Sequence, residues 1–135
     1  MVKDKIALDT NIVIDLLNNK HTVAILLNNY QNIYLPVTVC GELLFGAKNS
    51  NKSLENEQKC LEFIRACSLL NVNELVAEEY ANTRKVLKTK GRPIPENDIW
   101  IAATCIVNNI PLLTFDSDFQ HVDDLILIEI PRQHE

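Results

Sequence analysis

The segment KIALDTNIVIDLL, residues 5–17, indicates the architecture of the chain. It opens with a short apolar run that ends in Asp9, which is the pattern of a buried strand. Apolar residues then recur at helical spacing up to residue 17, which predicts a helix directly after the strand. A strand followed by a helix is the building unit of an α/β domain.

The rest of the chain repeats this alternation. Pro36 is predicted to open one helix, while Asn73 and Gly91 are the start and stop signals of another. The further strands are predicted at residues 32–36, 68–72, 111–115 and 125–130, and the further helices at residues 22–30, 53–67, 73–90 and 96–109. We therefore predict one α/β domain over residues 1–135, with a largely parallel sheet covered by helices.

Composition limits the possible functions. Of the 135 residues, 47% are hydrophobic and 23% are charged, which is typical of a globular protein. The formal net charge of −5 argues against a protein that coats nucleic acid by charge alone. It does not exclude a nucleic-acid enzyme, because clustered carboxylates that bind cations lower the formal charge without repelling the substrate once metal is bound.

The chain shows no sign of export or of membrane insertion. Its first residues lack the apolar stretch of a secretory signal, and the longest apolar run, residues 99–107, is far shorter than the roughly 18 residues of a membrane helix. We therefore expect a soluble, cytoplasmic protein. The cysteines form no CxxC pair and are predicted to be buried free thiols; they are Cys40, Cys60, Cys67 and Cys105.

Three acids occupy similar local positions. Asp9 ends the first predicted strand, Asp116 follows the fourth, and Asp98 lies in the first turn of a helix. Ligand sites in open parallel sheets assemble at the carboxyl ends of the strands, so Asp9 and Asp116 are expected to meet there. Each acid also has a simpler explanation, because Asp caps helices and complements the helix dipole in a first turn.

Glu42 is harder to explain by local structure. It is the only charged residue in VTVCGELLFGA, residues 37–47, where an apolar helix is predicted. It can pair with a distant Lys or Arg or extend towards solvent. The other interpretation is a carboxylate held in place to meet a cation. Carboxylates brought together repel one another unless a hard cation neutralises them, and Mg²⁺ or Mn²⁺ takes oxygen ligands of this kind.

Four motifs carry these acids: LDTNIVID (residues 8–15), VCGELLFGA (39–47), ENDIWIAATC (96–105) and LLTFDSDF (112–119). In this order they resemble the PIN-domain nucleases, most of all the single-domain VapC-like toxins of type II toxin–antitoxin pairs. The resemblance covers roughly residues 6–130. It implies a PIN-like three-layer sandwich and a metal-dependent endoribonuclease that cuts RNA within the strand.

The resemblance also assigns roles to residues. Asp9, Glu42 and Asp98 would hold Mg²⁺ or Mn²⁺, with Asp116 as an outer or second-metal ligand. Bound metal would lower the pKa of its water and screen the phosphate for in-line attack. The supporting residues would be Thr10, Asn11, Thr114 and Asp118. Asp118 is a second acid beside Asp116 that could also approach the metal, although we expect it to start a helix.

Five basic residues just before Asp98 are candidates for RNA binding: Arg84, Lys85, Lys88, Lys90 and Arg92. A solvated helix face explains them equally well, and both interpretations stay open at this point. Trp100 is predicted to pack in the core instead of stacking on a base. The histidines, including His134 in the C-terminal tail, are scattered and form no triad pattern with Ser or Cys.

The resemblance further implies partners. A lone PIN-like domain of this size is similar to toxins that form homodimers and are neutralised by a small, VapB-like antitoxin whose tail occupies the acidic groove. The alternative is a non-cleaving PIN-like scaffold that binds RNA or protein, and the presence of all four acids weighs against it.

Overall fold

The computed structural model describes residues 3–130, which form five strands and six α-helices, with two helices after each of the first three strands. The strands are β1 (Lys3–Leu8), β2 (Tyr30–Pro36), β3 (Ser68–Leu70), β4 (Leu112–Thr114) and β5 (Leu127–Glu129). The helices are α1 (Thr10–Leu17), α2 (His21–Leu27), α3 (Val37–Lys48), α4 (Ser53–Ala66), α5 (Glu74–Lys90) and α6 (Glu96–Asn108). A short 3₁₀ helix, Ser117–His121, follows β4.

The strands form one sheet in the order β3-β2-β1-β4-β5, and every neighbouring pair is parallel. The central strand β1 is buried on both faces, since Ile6, Ala7 and Leu8 have no exposed surface. Such burial is expected where helices cover both sides of a parallel sheet. The predicted α/β fold, with helices flanking a mostly parallel sheet, is therefore confirmed.

Most predicted boundaries hold within two residues, but the end of α2 was predicted wrongly. The pattern extended this helix to Tyr30, whereas α2 ends at Leu27 and Tyr30 begins β2. The reason is strand pairing, because Tyr30 lies opposite Lys3 of β1. His134 and the predicted tail fall outside the described residues.

The signals at the two ends of α5 act as predicted. The Asn73 side chain accepts a hydrogen bond from the Val76 amide (3.0 Å), which caps the start of the helix. Gly91 then adopts a left-handed backbone with φ of 69°, and the following amide, that of Arg92, donates to the Leu87 carbonyl (2.9 Å). This is a glycine-terminated helix end that other residues adopt at a cost.

The prediction that Trp100 packs in the core is wrong, because its ring finds an aromatic partner at a helix–helix contact instead. Its ring stacks on Tyr80, with centroids 3.8 Å apart, at the contact between α5 and α6. It is half-buried there and does not belong to the core beneath the sheet. The four cysteines are free thiols, three of them buried and Cys67 half-buried. Within residues 3–130, no helix has the length and apolarity that crossing a bilayer demands.

Candidate metal centre

Asp9 and Asp116 come from adjacent strands at the carboxyl edge of the sheet. Because Leu8 of β1 lies opposite Leu113 of β4, Asp9 and Thr114 are neighbours, and the Asp9 amide donates to the Leu113 carbonyl (3.0 Å). Asp116 is two residues further along. The expected meeting of the two strand-end acids at this edge is therefore observed.

Asp9 is buried and held by two hydrogen bonds. Its carboxylate accepts from the Thr114 hydroxyl (2.6 Å) and from the Thr10 amide (2.9 Å), and only 8% of the residue is exposed. Burial raises the pKa of Asp9, the two hydrogen bonds oppose that shift, and the charges of Glu42 and Asp116 add to it. Asp9 also caps α1, so the capping and site interpretations apply to the same side chain.

The Thr114 hydroxyl joins the two strand ends. Besides donating to Asp9, it accepts a hydrogen bond from the Asp116 amide (3.0 Å). Asp116 in turn caps the 3₁₀ helix by accepting from the Asp118 amide (2.8 Å). Asp118 itself is an exposed acid in the first turn of that helix, as expected from the sequence.

Glu42 reaches the same edge from α3. Its Oε1 accepts from the Thr10 hydroxyl at 2.6 Å, and its Oε2 lies 3.5 Å from the Asn97 side-chain amide, at the limit of a hydrogen bond. Within residues 3–130 Glu42 forms no salt bridge with Lys or Arg, which removes the ion-pair explanation for that region. Both of its hydrogen-bond partners are sequence neighbours of the other acids, since Thr10 follows Asp9 and Asn97 precedes Asp98.

Asp98 is affected by the charges of the other acids at this edge. Burial, followed by the charges of neighbouring acids, raises the pKa of Asp98 to about 7. Those acids are, in order of effect, Asp9, Asp116, Glu42 and Asp118. The four predicted metal ligands thus lie close enough for the other three to act electrostatically on Asp98.

This group suits a hard divalent cation by its chemistry. Its donors are carboxylate oxygens, the ligands that Mg²⁺ and Mn²⁺ prefer, and their mutual repulsion is the penalty that a cation would remove. In the described part of the chain, however, no three carboxylate, histidine or thiol groups already converge as a set of ligands. The acids lie at the same edge of the sheet, but their oxygen atoms do not yet surround a common position where a cation would sit.

The supporting residues fall into two groups. Thr10 and Thr114 donate hydrogen bonds to Glu42 and Asp9. Asn11 is exposed, and over residues 3–130 its side chain has no hydrogen bond to the acids. Asn97 was missed by the sequence analysis, although it directly precedes Asp98 and so begins the same helix beside Glu42.

The five basic residues are not equivalent. Lys85, Lys88 and Arg92 are exposed, whereas two others have partners within the protein. Arg84 donates to the Tyr80 hydroxyl (2.7 Å) and lies 4.0 Å from the Glu96 carboxylate. Lys90 pairs with Asp123 and donates to the His121 carbonyl (3.0 Å).

Comparison with known proteins identifies the family of this chain. The sequence profile of the PIN domain matches residues 6–125. The chain belongs to the PIN-domain family. "Ribonuclease VapC1" of Haemophilus influenzae (strain R2866) is 34% identical over 87% of this PIN domain and 92% of its own length. "Ribonuclease VapC2" of Rickettsia felis is 30% identical over 89% and 93%.

Solved structures also resemble this PIN domain over nearly its whole length. VapBC2 from Rickettsia felis, bound to a DNA fragment from its promoter, has a chain that superposes with a TM-score of 0.83 at 27% identity, covering 93% of this chain and 98% of that one. VapBC-1 from nontypeable Haemophilus influenzae gives a TM-score of 0.79 at 30% identity, with 93% and 97% covered. The predicted PIN-like fold is confirmed by these likenesses.

The raised pKa of Asp98 predicts how the metal-free protein responds to pH. Because the folded state holds the Asp98 proton more tightly than the unfolded chain, the associated stability is present at low pH and is lost as pH rises from about 4 to about 7. Asp98→Asn removes the charge. We expect it to raise the free energy of unfolding at pH 8 by about 1–2 kcal/mol, a value reduced for partial exposure.

Urea denaturation in EDTA at pH 5 and pH 8 measures this effect. The gain should be smaller at pH 5, where Asp98 is already protonated in the folded protein. Asp124→Asn is the control, since Asp124 is exposed and is not among the charges acting on Asp98. An equal gain from both variants, or none from Asp98→Asn, would contradict the raised pKa that burial and the neighbouring acids give Asp98.

Proposed function

We propose that this chain is a metal-dependent endoribonuclease and the toxin of a two-protein toxin–antitoxin pair. The observation that carries the proposal is the gathering of Asp9, Glu42, Asp98 and Asp116 at the carboxyl edge, where burial and the charges of the other three raise the pKa of Asp98. Supporting it, the relatives that match nearly the whole chain are named ribonucleases.

In this proposal Asp9, Glu42 and Asp98 hold Mg²⁺ or Mn²⁺, and Asp116 is an outer ligand or holds a second ion. A divalent metal bound there lowers the pKa of its water and screens the charge of a phosphodiester. The protein's own part is to hold the carboxylates in place. Thr114 restrains Asp9, while Thr10 restrains Glu42, so that the side-chain orientation of both acids is limited by hydrogen bonds.

RNA contacts are proposed for the basic residues, with unequal weight. Lys85, Lys88 and Arg92 are exposed and free to meet phosphates, so they are the main candidates. Arg84 and Lys90 contribute less, because each is engaged with a carboxylate of the same chain. Lys85, Lys88 and Arg92 supply only a small positive charge for binding RNA phosphates, and the formal net charge of the whole protein is −5.

A small VapB-like antitoxin and a second copy of the chain are the proposed protein partners. The solved neighbours from Rickettsia felis and Haemophilus influenzae are VapBC assemblies, which supports the antitoxin. A hollow of about 280 Å³ between α1, α3 and α4 lies beside Glu42 and can take apolar side chains of a partner. Its apolar walls include Ile14, Leu17, Leu43, Ala47 and Cys60.

The nuclease proposal predicts metal-dependent cleavage that depends on Glu42. Partner-free protein is incubated with total cellular RNA and Mg²⁺ or Mn²⁺, and the RNA ends are mapped. We expect discrete internal cuts that disappear in EDTA and fall at least about 100-fold in Glu42→Gln, since the amide removes a charged ligand but keeps the side-chain shape.

Asp15→Asn, a change at an acid of α1 outside the group around Asp98, is the matched control and should cleave normally. Calorimetry with Mn²⁺ accompanies the assay. Metal binding without any cleavage would replace the nuclease by a non-cleaving scaffold. Full activity of Glu42→Gln would remove Glu42 from the site.

The basic residues predict a change in salt dependence. Replacing Lys85 and Lys88 by Glu should weaken RNA binding and reduce the slope of log affinity against log salt by about one for each phosphate that is no longer neutralised. Lys48→Glu with Lys59→Glu is the control pair, since both lysines lie on other helices and pair with acids there. An unchanged slope would assign Lys85 and Lys88 to a solvated helix face.

The partner proposal predicts a complex of defined mass. The protein is expressed with its neighbouring gene, and the purified material is analysed by native mass spectrometry. We expect two copies of this chain together with a small second protein. A monomer that recruits nothing would contradict both partners, and a dimer without a second protein would contradict the antitoxin alone.

A further inference from the structure

Phe45 is an exposed aromatic side chain close to the acids. It lies on α3 one helical turn beyond Glu42, and 70% of it is exposed. Large aromatic side chains are usually buried in folded proteins. An exposed ring next to a candidate site is therefore a candidate for ligand binding. Trp100, the aromatic residue that the sequence first suggested for base stacking, already has one face covered by Tyr80.

Phe45 forms one wall of a hollow of about 590 Å³ that reaches Glu42. The other walls are polar or lack a side chain: Thr10, Thr38, Gly41, Glu42 and Asn97. A nucleobase has an apolar face and a polar edge, and it suits a cavity in which one aromatic ring is surrounded by hydrogen-bonding groups. The Thr38 hydroxyl has no hydrogen-bond partner among residues 3–130, so it is available to a base edge.

The hollow on the other side of Glu42 is different in kind. Its walls are mainly aliphatic, including Ile14, Leu17 and Leu43, as expected for the docking of a protein side chain. The hollow lined by Phe45 has one large apolar side chain, and polar residues or glycine form its other walls. This difference favours a base over a protein anchor as the ligand of Phe45.

The spacing also fits one nucleotide. Residues three apart on a helix have Cβ atoms about 5–6 Å apart, so a base attached to a phosphate that the proposed metal holds beside Glu42 can reach the ring of Phe45. Gly41 lies four residues before Phe45 on the same face. A Cβ at Gly41 would meet no atom of the protein within 4 Å, so the chain's own packing does not require glycine there, and the helix surface stays open to a ligand.

We propose that Phe45 stacks on a nucleobase of single-stranded RNA next to the phosphodiester bound at the acids. The ring then selects unpaired RNA, because a base inside a duplex does not expose its face. Stacking would supply affinity that the basic residues provide only in part, since Arg84 and Lys90 are engaged within the protein. This role rests on the proposed function for the position of the phosphate.

Binding of abasic RNAs tests the proposal. Asp98→Asn protein is used with Mn²⁺ so that the RNA stays intact, and the probes are nine-nucleotide single-stranded RNAs of mixed sequence with one abasic site at each position in turn. Fluorescence anisotropy gives the affinities. We expect one position at which loss of the base weakens binding about 10- to 100-fold.

Phe45→Ala in the same background should bind the intact RNAs as weakly and lose this dependence on position, whereas Phe45→Trp should keep it. Ile25→Ala is the control, since Ile25 is 67% exposed on α2 and lies outside the hollow. Its abasic profile should match that of the parent. Native mass spectrometry of Phe45→Ala shows whether dimer formation or antitoxin binding changes.

The outcomes separate the two proposals. The stacking role is overturned if affinity does not depend on the position of the abasic site, or if that dependence is the same with and without Phe45. It is also overturned if Phe45→Ala loses a protein partner while its RNA binding is unchanged. Parallel cleavage assays use the protein with Asp98 intact. Position-dependent binding without any cleavage would support stacking while contradicting the nuclease.

Discussion

Repulsion among carboxylates is the constraint around which this structure is organised. Four acids are held at one edge of the sheet, where burial and the charges of its acidic neighbours raise the pKa of Asp98 to about 7. Helix starts offset part of the cost, because Asp9 caps α1, Asp98 lies in the first turn of α6, and Asp116 caps the 3₁₀ helix. Two threonine hydroxyls then hold the acids in orientation.

The capping and metal-site interpretations of these acids turn out to be compatible. A residue that ends a parallel strand and starts a helix is placed at the carboxyl edge by the fold itself. The partial positive charge at the helix start stabilises a carboxylate there whether or not a cation is bound. The same local sequence therefore serves folding and places a carboxylate at the edge where we propose that a cation binds, which is why local arguments alone could not choose between the two.

Much of the fold was predictable from periodicity and stop signals, as α5 illustrates with its cap at Asn73 and its end at Gly91. The start of β2 at Tyr30 was not predictable in this way. The strand begins where it can pair with β1, although the helical pattern of the sequence continues to that residue. The acids were predictable because each belongs to a recognisable motif. The contacts of Thr10 with Glu42 and of Asn97 with Glu42 depend on the packing of different helices, which no single motif contains.

The hydrogen bond between Thr114 and Asp9 connects residues 105 positions apart. During synthesis the amino-terminal part of a chain emerges and begins to fold first. The first acid is therefore made early, whereas the hydroxyl that orients it, and Asp116 after it, arrive only once the chain has grown by a further 105 residues. A nascent chain that has not yet reached Asp116 lacks the complete acidic group, so the ribosome carries an unfinished group of acids until that residue has been added.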